Sequence, residues 1–167
     1  SHCRLYDFLG AHRMLHEGEE GVLFAVWAPN AAEVSVMGDF NAWNRESHKL
    51  APRWDSSGIW EGFVPGVEDW SSYKYSITTD TGVKLDKGDP FAFFWETPPD
   101  TASRVSPELS FQWDDSEWMS SRKEKSSLSS PQSVYEMHAG SWRRTEENEY
   151  LSWLGLAEEL PPYLVEN

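Results

Sequence analysis

Short apolar stretches separated by turn-forming residues characterise the first half of the chain. Residues 22–28 (VLFAVWA) form a continuous apolar run that ends at Pro29, which is the pattern of a central, buried strand. Residues 73–79 alternate instead, so that Tyr73 faces one way and Lys74 faces the other. Further strands are predicted at 33–37, 59–64 and 83–86. Short strands at this spacing, with no helical period between them, indicate a mainly β protein built as a β-sandwich.

Three segments outside these strands differ from them in composition. Residues 5–16 mix aromatic, Gly and His positions and predict an irregular lead-in. Residues 89–107 combine prolines with clustered aromatic residues, which predicts an extended strap lying across another surface. Residues 119–132 are rich in Ser, Lys and Arg and predict a linker. We therefore assign residues 1–118 to the sandwich module with its strap, followed by the linker.

The last part of the chain, 133–167, predicts a second architecture. Residues 133–144 (SVYEMHAGSWRR) have the pattern of a short buried strand that stops at a glycine and leads into a loop. Apolar residues then recur at three- and four-residue steps, as on an amphipathic helix, at Trp153, Leu156, Ala157, Leu160 and Leu164. Two prolines, Pro161 and Pro162, predict that this helix is kinked or in two pieces. A strand followed by a helix is the opening unit of a parallel α/β sheet or barrel.

The charge of the chain argues against two classes of partner. With 14 basic and 28 acidic side chains the formal net charge is −14 at pH 7, so phosphate backbones and anionic membrane surfaces should be repelled. We therefore expect neither a nucleic acid nor a membrane as partner. The 10 Trp residues are many for this length, and large flat rings suit a ligand-binding face. A neutral ligand such as a sugar is compatible with the charge, and so is an acidic surface without a ligand.

Cysteine content and hydropathy bear on the compartment and on metal binding. Cys3 is the single cysteine, so no disulfide can form within the chain. No run approaches the ~18 apolar residues of a membrane span, and the first residues lack a signal-peptide core. We expect a cytoplasmic protein. His12 and His16 have the i, i+4 spacing of helical metal ligands, but their flanks are poor helix formers, so we expect no metal site.

A set of motifs in a fixed order adds to this interpretation. They lie at 6–12 (YDFLGAH), 26–31 (VWAPNA), 34–43 (VSVMGDFNAW), 73–75 (YKY), 89–93 (DPFAF), 101–103 (TAS), 133–144 and 156–160 (LAEEL). Each motif alone is weak, but together they extend across nearly the full chain. The chain resembles the amino-terminal part of the bacterial-type 1,4-α-glucan (glycogen) branching enzymes of the α-amylase superfamily.

The resemblance implies a fold and a parent activity. The fold is an immunoglobulin-like β-sandwich of carbohydrate-binding family 48, followed by the first strand and helix of a (β/α)8 barrel. The parent enzyme transfers a 1,4-α-glucan segment to a 6-hydroxyl by double displacement, without a metal or an organic cofactor. The implied partners are α-1,4-glucan and the barrel domain of the same protein. Glycoside chemistry needs two carboxyl groups, and the resemblance places them beyond residue 167, so we expect this chain alone to be inactive and assign it no catalytic residue.

Two residues are the candidates for binding carbohydrate. Trp43 follows a strand and a turn, where a ring can be presented outward, and Lys74 lies on the face opposite Tyr73. In related glycogen-binding modules the matching positions line the sugar site; the alternatives are a core role for the ring and an ordinary solvated lysine. Modules of the kinase regulatory-subunit type carry a second stacking Trp in the following hairpin, but residues 80–84 here contain no aromatic residue. Trp60 is a reserve candidate that fits a core role equally well.

Two alternatives to a branching enzyme stay open. One is a free-standing glycogen-binding regulatory module with no barrel, which does not explain the strand-like pattern at 133–144. The other is the same region of a debranching or trehalose-releasing hydrolase, although Ser141-Trp142-Arg143-Arg144 resembles the branching type more. Within that pattern Tyr135, Glu136 and His138 either support an active site from below or pack a barrel interior.

Overall fold

The computed structural model describes residues 2–107 and 111–166 of the chain. It divides into two compact units, Ser1–Gln112 and Trp113–Asn167, which are described in turn. The described residues of the first unit form nine strands: β1 (Gly10–His16), β2 (Glu19–Trp27), β3 (Ala31–Gly38), β4 (Ala51–Pro52), β5 (Ile59–Pro65), β6 (Ser72–Thr79), β7 (Lys84–Lys87), β8 (Phe94–Trp95) and β9 (Ser103–Arg104). Short 3-10 helices lie at His2–Asp7 and Asp39–Asn41.

The strands form two antiparallel sheets. The first sheet has the order β1-β2-β5-β4, so the apolar strand β2 lies between two neighbours as its sequence predicts. The second sheet has the order β3-β6-β9-β8, and β7 also pairs with β6. All five strands predicted from the sequence are present, and the predicted β-sandwich is confirmed.

The core lies where the inner faces of the two sheets meet. Alternate residues of β2 pack against alternate residues of β3 and β6, because successive side chains of a strand point to opposite faces. The largest members of this cluster are Phe24, Tyr73 and Tyr75, all fully buried. Phe24 meets Tyr73 edge-on with ring centroids 5.0 Å apart. The predicted alternation of β6 is therefore confirmed, with the tyrosines inside.

A buried carboxylate follows β7 and joins the strap to the core. Asp89 has no exposed surface, and its Oδ2 accepts hydrogen bonds from the hydroxyls of Tyr73 (2.7 Å) and Tyr75 (3.2 Å). Its Oδ1 accepts the N–H of Phe91 at 2.8 Å, and its own N–H donates to Ser103 Oγ at 2.8 Å. One residue thus connects β6 and the start of the strap through its carboxylate, and β9 through its backbone N–H.

Burial has an electrostatic consequence for this group. It raises the pKa of Asp89 above the ordinary value of 3.8, although hydrogen bonds from Tyr73, the Phe91 N–H and Tyr75 oppose the rise. The folded chain therefore holds this proton more tightly than the unfolded chain does. The stability that the folded chain gains from this tighter proton binding is fully present when the pH is below 3.8. It is lost as the pH rises through the higher pKa of Asp89 in the folded chain.

Two sequence predictions for the first unit need correction. The lead-in at 5–16 is irregular only at its beginning, because residues from Gly10 onward form β1 and pair with β2 along their whole length. Polar His12 and Arg13 interrupt the apolar pattern there, which hid the strand. The strap is extended as predicted but also enters the second sheet, since β9 pairs with both β6 and β8.

The second unit, as far as the structure describes it, has two helices, α1 (Ser116–Lys125) and α2 (Trp153–Glu166). The helix predicted from the periodicity is confirmed as α2, which continues through both prolines in a single element. Helix α1 occupies much of the segment predicted as a linker. Neither helix is long and apolar enough to cross a membrane, within the part of the chain that the structure describes.

The strand predicted at 133–144 is wrong for this structure. Residues 131–138 have no regular secondary structure, and a turn follows at 139–141. The nearest strand-like feature is an isolated antiparallel bridge between Arg144 and Tyr150. A strand is stabilised by hydrogen bonds to neighbours, and the described residues of this unit contain no strand with which 133–144 could form a ladder.

We predict that Asp89→Ala lowers the free energy of unfolding by about 3 kcal/mol, because two buried hydroxyls and one N–H lose their acceptor. Asp89→Asn should cost less than about 1 kcal/mol, since the amide can accept from Phe91 and the hydroxyls can turn to accept from its NH₂. Urea denaturation at pH 7 measures both. Asp80→Ala, at an exposed hairpin tip, is the matched control. Equal stability of Asp89→Ala and the parent chain would show that the network is not stabilising.

Candidate functional site

A tight turn after β3 positions Trp43. Ala42 and Trp43 both have left-handed backbone angles, with φ of 51° and 58°, a conformation that is costly for a bulky residue. Side-chain and backbone hydrogen bonds hold it: Asn41 Oδ1 accepts the N–H of Gly38 at 2.9 Å, and Asn41 Nδ2 donates to the Val36 carbonyl at 3.1 Å. The Trp43 N–H closes the turn by donating to the Gly38 carbonyl at 2.9 Å.

The Trp43 ring is partly exposed and its orientation is fixed by Asp39. The side chain is 37% exposed, and its indole N–H donates to Asp39 Oδ1 at 3.2 Å. The other oxygen of Asp39 accepts the backbone N–H of Ser72 at 2.7 Å, at the start of β6. One carboxylate therefore joins the ring to the second sheet, which favours the exposed interpretation of Trp43 over a core role.

Beside Trp43 lies an open depression with a volume of about 570 Å³. Its walls are formed by Trp43, Asn44, Arg45, Glu46, Lys84 and Asp86. Arg45 donates two hydrogen bonds to the Asp86 carboxylate, one of them from Nε to Oδ1 at 3.0 Å. Lys84 Nζ lies 2.8 Å from Glu46 Oε1. The depression therefore combines one flat apolar ring with two ion pairs.

The ion pairs keep both carboxylates ionised at neutral pH. The hydrogen bond from Arg45 is the main cause that lowers the pKa of Asp86, and burial opposes it. Hydrogen bonds from Lys84 and then Lys49 lower the pKa of Glu46. Ionised carboxylates are strong acceptors with several lone pairs, so each can accept a hydroxyl in addition to its present partner.

Lys74 lies on the outer face of β6, as predicted, opposite Met37 of β3. It is half-buried, and its ammonium donates to Thr101 Oγ1 at 2.7 Å. Its charge is also among the smaller causes that lower the pKa of Asp86. Lys74 is therefore within electrostatic reach of the depression that Trp43 lines. The hydrogen bond to Thr101 thus ties Lys74 to the strap.

The structure adds Arg45, Glu46, Lys84 and Asp86 to the two residues that the sequence singled out. Part of this set could be predicted from the sequence, since Lys84 and Asp86 are two residues apart on a predicted strand and therefore share a face. The strand pairing confirms this shared face, with Thr78 opposite Lys84 and Ser76 opposite Asp86. Nothing in the sequence indicated Arg45, because an arginine in a polar loop is ordinary.

The remaining sequence candidates lie elsewhere. Trp60 packs against the core and donates its indole N–H to the Ala28 carbonyl at 3.1 Å, which supports its core role. The hairpin after β6 presents Val83, which is half exposed, and contains no aromatic residue. His12 and His16 are on the strand β1, where an i, i+4 spacing separates them by about 13 Å. No cluster able to hold a metal occurs within the described ranges.

In the second unit the residues of the predicted strand form an aromatic cluster. The Trp142 indole N–H donates to the Tyr135 hydroxyl at 2.9 Å, and Tyr163 of α2 lies 5.4 Å from the Trp142 ring. Arg143 lies over Trp142 and bonds Glu159 at 3.0 Å. His138 Nδ1 lies 3.1 Å from Ser141 Oγ. These contacts fasten the irregular segment to α2 without the sheet that was predicted.

Comparison with known proteins agrees with this architecture. The family model described as carbohydrate-binding module 48 (isoamylase N-terminal domain) matches residues 8–92, slightly more than half of the chain. The chain is 49% identical over 168 residues to the 1,4-alpha-glucan branching enzyme GlgB of Aquifex aeolicus, covering 99% of this chain and 26% of that protein. It is 46% identical to the protein of the same name from Pseudomonas aeruginosa, covering 98% of this chain and 22% of that one.

A third relative, the 1,4-alpha-glucan branching enzyme GlgB of Albidiferax ferrireducens, is 47% identical and is covered to 26%. The chain therefore spans about a quarter of the length of the curated relatives it matches. The matched residues 8–92 contain β1 to β7, the turn that carries Trp43, and Lys74. On the family model and the two-sheet fold together, the chain belongs to the carbohydrate-binding module 48 family.

Proposed function

We propose that the β-sandwich unit binds α-1,4-glucan chains at the depression lined by Trp43. The observation that carries this proposal is the partly exposed ring, held in a strained turn beside two ion pairs. Strained backbone persists where the surrounding structure enforces it, and such positions cluster at binding sites. Membership of a carbohydrate-binding family supports the ligand class.

The chemistry of the depression suits a neutral sugar. An indole ring lying against the C–H face of a glucose residue removes apolar surface from water. The hydroxyls at the edge of that sugar need donors and acceptors, which the Arg45–Asp86 pair supplies. Lys74 uses one of its three N–H donors on Thr101 and keeps the others for a second sugar residue.

A single ring in an open depression predicts weak binding. Sugar sites gain affinity when several rings contact successive residues, and here the hairpin at residues 80–84 supplies no second ring. We therefore propose that the module binds a glucan chain weakly and keeps it close to the rest of the same protein. The dissociation constants should lie in the range of about 0.1–10 mM.

For the whole protein we propose 1,4-α-glucan branching activity in the cytoplasm. The relatives that match nearly all of this chain at 46–49% identity bear that name, which favours branching over a debranching or trehalose-releasing hydrolase. In this proposal residues 119–132 connect the module to a catalytic barrel, and residues 133–167 begin that barrel. The reaction uses two carboxyl groups and no cofactor.

We predict that Trp43→Ala weakens maltoheptaose binding by the 167-residue chain at least fivefold, because the flat apolar contact is lost. NMR titration of backbone amide signals measures the affinity. Lys74→Met should weaken it about threefold, since the aliphatic stem remains and only the charged donor is removed.

Trp54→Ala is the matched control for Trp43→Ala. Trp54 is 93% exposed, more than Trp43, and lies in a different turn. Its removal should leave the affinity unchanged, because exposure alone does not make a sugar site. An affinity that falls with Trp54→Ala and not with Trp43→Ala would move the site to the other turn.

A further prediction concerns activity. The 167-residue chain alone should form no new 1,6 linkages in linear α-1,4-glucan, because a single β-sandwich module does not place two carboxyl groups on either side of a glycosidic bond. Methylation analysis of the glucan after incubation measures the branch points. A full-length protein containing this chain should form them under the same conditions, and branching by the chain alone would refute the assignment of catalysis to other domains.

A further inference from the structure

The Trp43 turn includes a contact between Asn41 Nδ2 and His48 Nδ1, 2.9 Å apart. We infer that His48 is a positioning residue whose uncharged Nδ1 holds Asn41, and that acid weakens glucan binding by protonating it. The inference extends the proposed function, because it concerns the same glucan site. Its structural part, the response of the turn to pH, stands independently of any ligand.

The hydrogen bonds of Asn41 fix which atom faces His48. Its Oδ1 accepts the Gly38 N–H at 2.9 Å, and its Nδ2 donates to the Val36 carbonyl at 3.1 Å. A flipped amide would set a donor against the Gly38 N–H and an acceptor against the Val36 carbonyl, so this orientation alone satisfies both backbone groups. The atom 2.9 Å from His48 Nδ1 is therefore the NH₂ nitrogen, which is a donor.

That donor dictates the state of the imidazole. In the inferred state Nδ1 accepts from Asn41 and carries no proton, so the ring is neutral with its proton on Nε2. Protonation would place an N–H donor against the Asn41 NH₂ group. The Ser47 hydroxyl donates to the Asn44 carbonyl at 3.1 Å, so its oxygen, 3.0 Å from Nδ1, would accept the new proton while the repulsion from Asn41 persisted.

Loss of the Asn41 contact acts on Trp43 through the turn. Asn41 Nδ2 is the group that binds Val36, and the Asn41 carbonyl accepts the Asn44 N–H at 3.1 Å, on the far side of Trp43. The left-handed backbone of Ala42 and Trp43 lies between those two anchors. A displaced Asn41 therefore relaxes the turn, and a bound glucan would have to restore its order, which lowers affinity.

The charged groups of the His48 segment and of strands β3, β6 and β7 are Asp39, Arg45, Glu46, Lys49, Glu33, Lys74, Lys84, Asp86 and Lys87. Asp39 accepts hydrogen bonds from Trp43 and Ser72, and Lys74 donates one to Thr101. Four ion pairs join six of the others, namely Arg45–Asp86, Lys84–Glu46, Lys49–Glu46 and Lys49–Glu33. The ring itself meets Phe40 edge-on, with centroids 5.8 Å apart.

Two carboxylates of this cluster stay ionised in mildly acidic solution. The pKa values of Asp86 and Glu46 are lowered by their cationic partners. A variant without the imidazole is therefore needed to assign a change between about pH 7.5 and pH 5.5 to the histidine.

The test is NMR of the 167-residue chain between pH 7.5 and pH 5.5, with and without maltoheptaose. The ring nitrogen shifts of His48 should show the Nε2–H form at pH 7.5, and the Trp43 indole N–H signal should shift with the same midpoint as that ring. Maltoheptaose affinity should fall about fivefold over the interval.

His48→Asn and His16→Asn complete the design. An asparagine at 48 keeps an acceptor near the place of Nδ1 but cannot be protonated in this interval, so both the Trp43 titration and the pH dependence of affinity should disappear. His16 lies on β1 against Phe63, 5.1 Å between ring centroids, and its replacement should change neither.

Two results would overturn the inference. One is a Trp43 signal that does not move with the His48 titration in the parent chain, and the other is a titration that persists in His48→Asn. An absence of maltoheptaose binding at every pH would refute the proposed function instead, and the Trp43 and His48 signals would still decide whether the histidine positions the turn. A His48 ring found as the Nδ1–H form at pH 7.5 would also refute the inference, without any variant.

Discussion

The buried carboxylate of Asp89 is the interaction on which the arrangement of the second sheet depends. It accepts the hydroxyls of Tyr73 and Tyr75 from the core and the N–H of Phe91 from the strap. A buried carboxylate is costly unless its lone pairs are filled, and here three donors fill them. The cost is still visible in the raised pKa, because burial outweighs the three hydrogen bonds. Burial of the Asp89 carboxylate is therefore unfavourable by itself, but its hydrogen bonds fix the position of the strap on the core.

That connection reaches the candidate site through the strap. Ser103, which accepts the Asp89 N–H, lies on β9 opposite Tyr73, and Thr101 just before it accepts the ammonium of Lys74. Glu96, on the other arm of the strap, accepts the Ala102 N–H and the Ser72 hydroxyl. Hence the residues that hold Lys74 in place are themselves positioned by a residue that the ligand would never contact. A binding face on a sandwich is made precise by the inner face behind it.

The sequence predicted the strands whose pattern expresses burial and missed those whose formation depends on partners. Residues 22–28 and 73–79 carry their apolar pattern within the strand itself, so β2 and β6 were readable. Strand β1 could not be predicted in this way, since the polar residues His12 and Arg13 interrupt its apolar pattern. It forms a strand because it pairs with β2 along its whole length. The same dependence explains residues 133–144, where a strand-like pattern finds no partner strand among the described residues of the second unit. Local pattern predicts a strand only when the pairing partner is also present.

The candidate site was predictable to a similar extent. Trp43 and Lys74 could be singled out because a motif and an alternation place them, whereas Arg45 and His48 become meaningful only when the loop folds back on β3. The position of the ring in the turn was foreseen, but the left-handed backbone at Ala42 and Trp43 was not, since neither residue type favours it. Such a conformation needs the hydrogen bonds of Asn41, and those partners are recognisable only in three dimensions.

Left-handed backbone alone does not identify a binding ring. Trp70 shares it, with φ of 65°, and is even more exposed than Trp43. The difference lies in what each ring contacts: Trp70 packs edge-on against Phe94 at 4.9 Å, while Trp43 turns its indole N–H to Asp39 and lines a depression with two ion pairs. Exposure therefore does not separate the two rings, and the depression with two ion pairs beside Trp43 does. A sugar-binding ring needs hydrogen-bonding groups beside it for the hydroxyls of the sugar. Strain, partial exposure and neighbouring hydrogen-bonding groups therefore have to coincide, and in the candidates compared they coincide at Trp43.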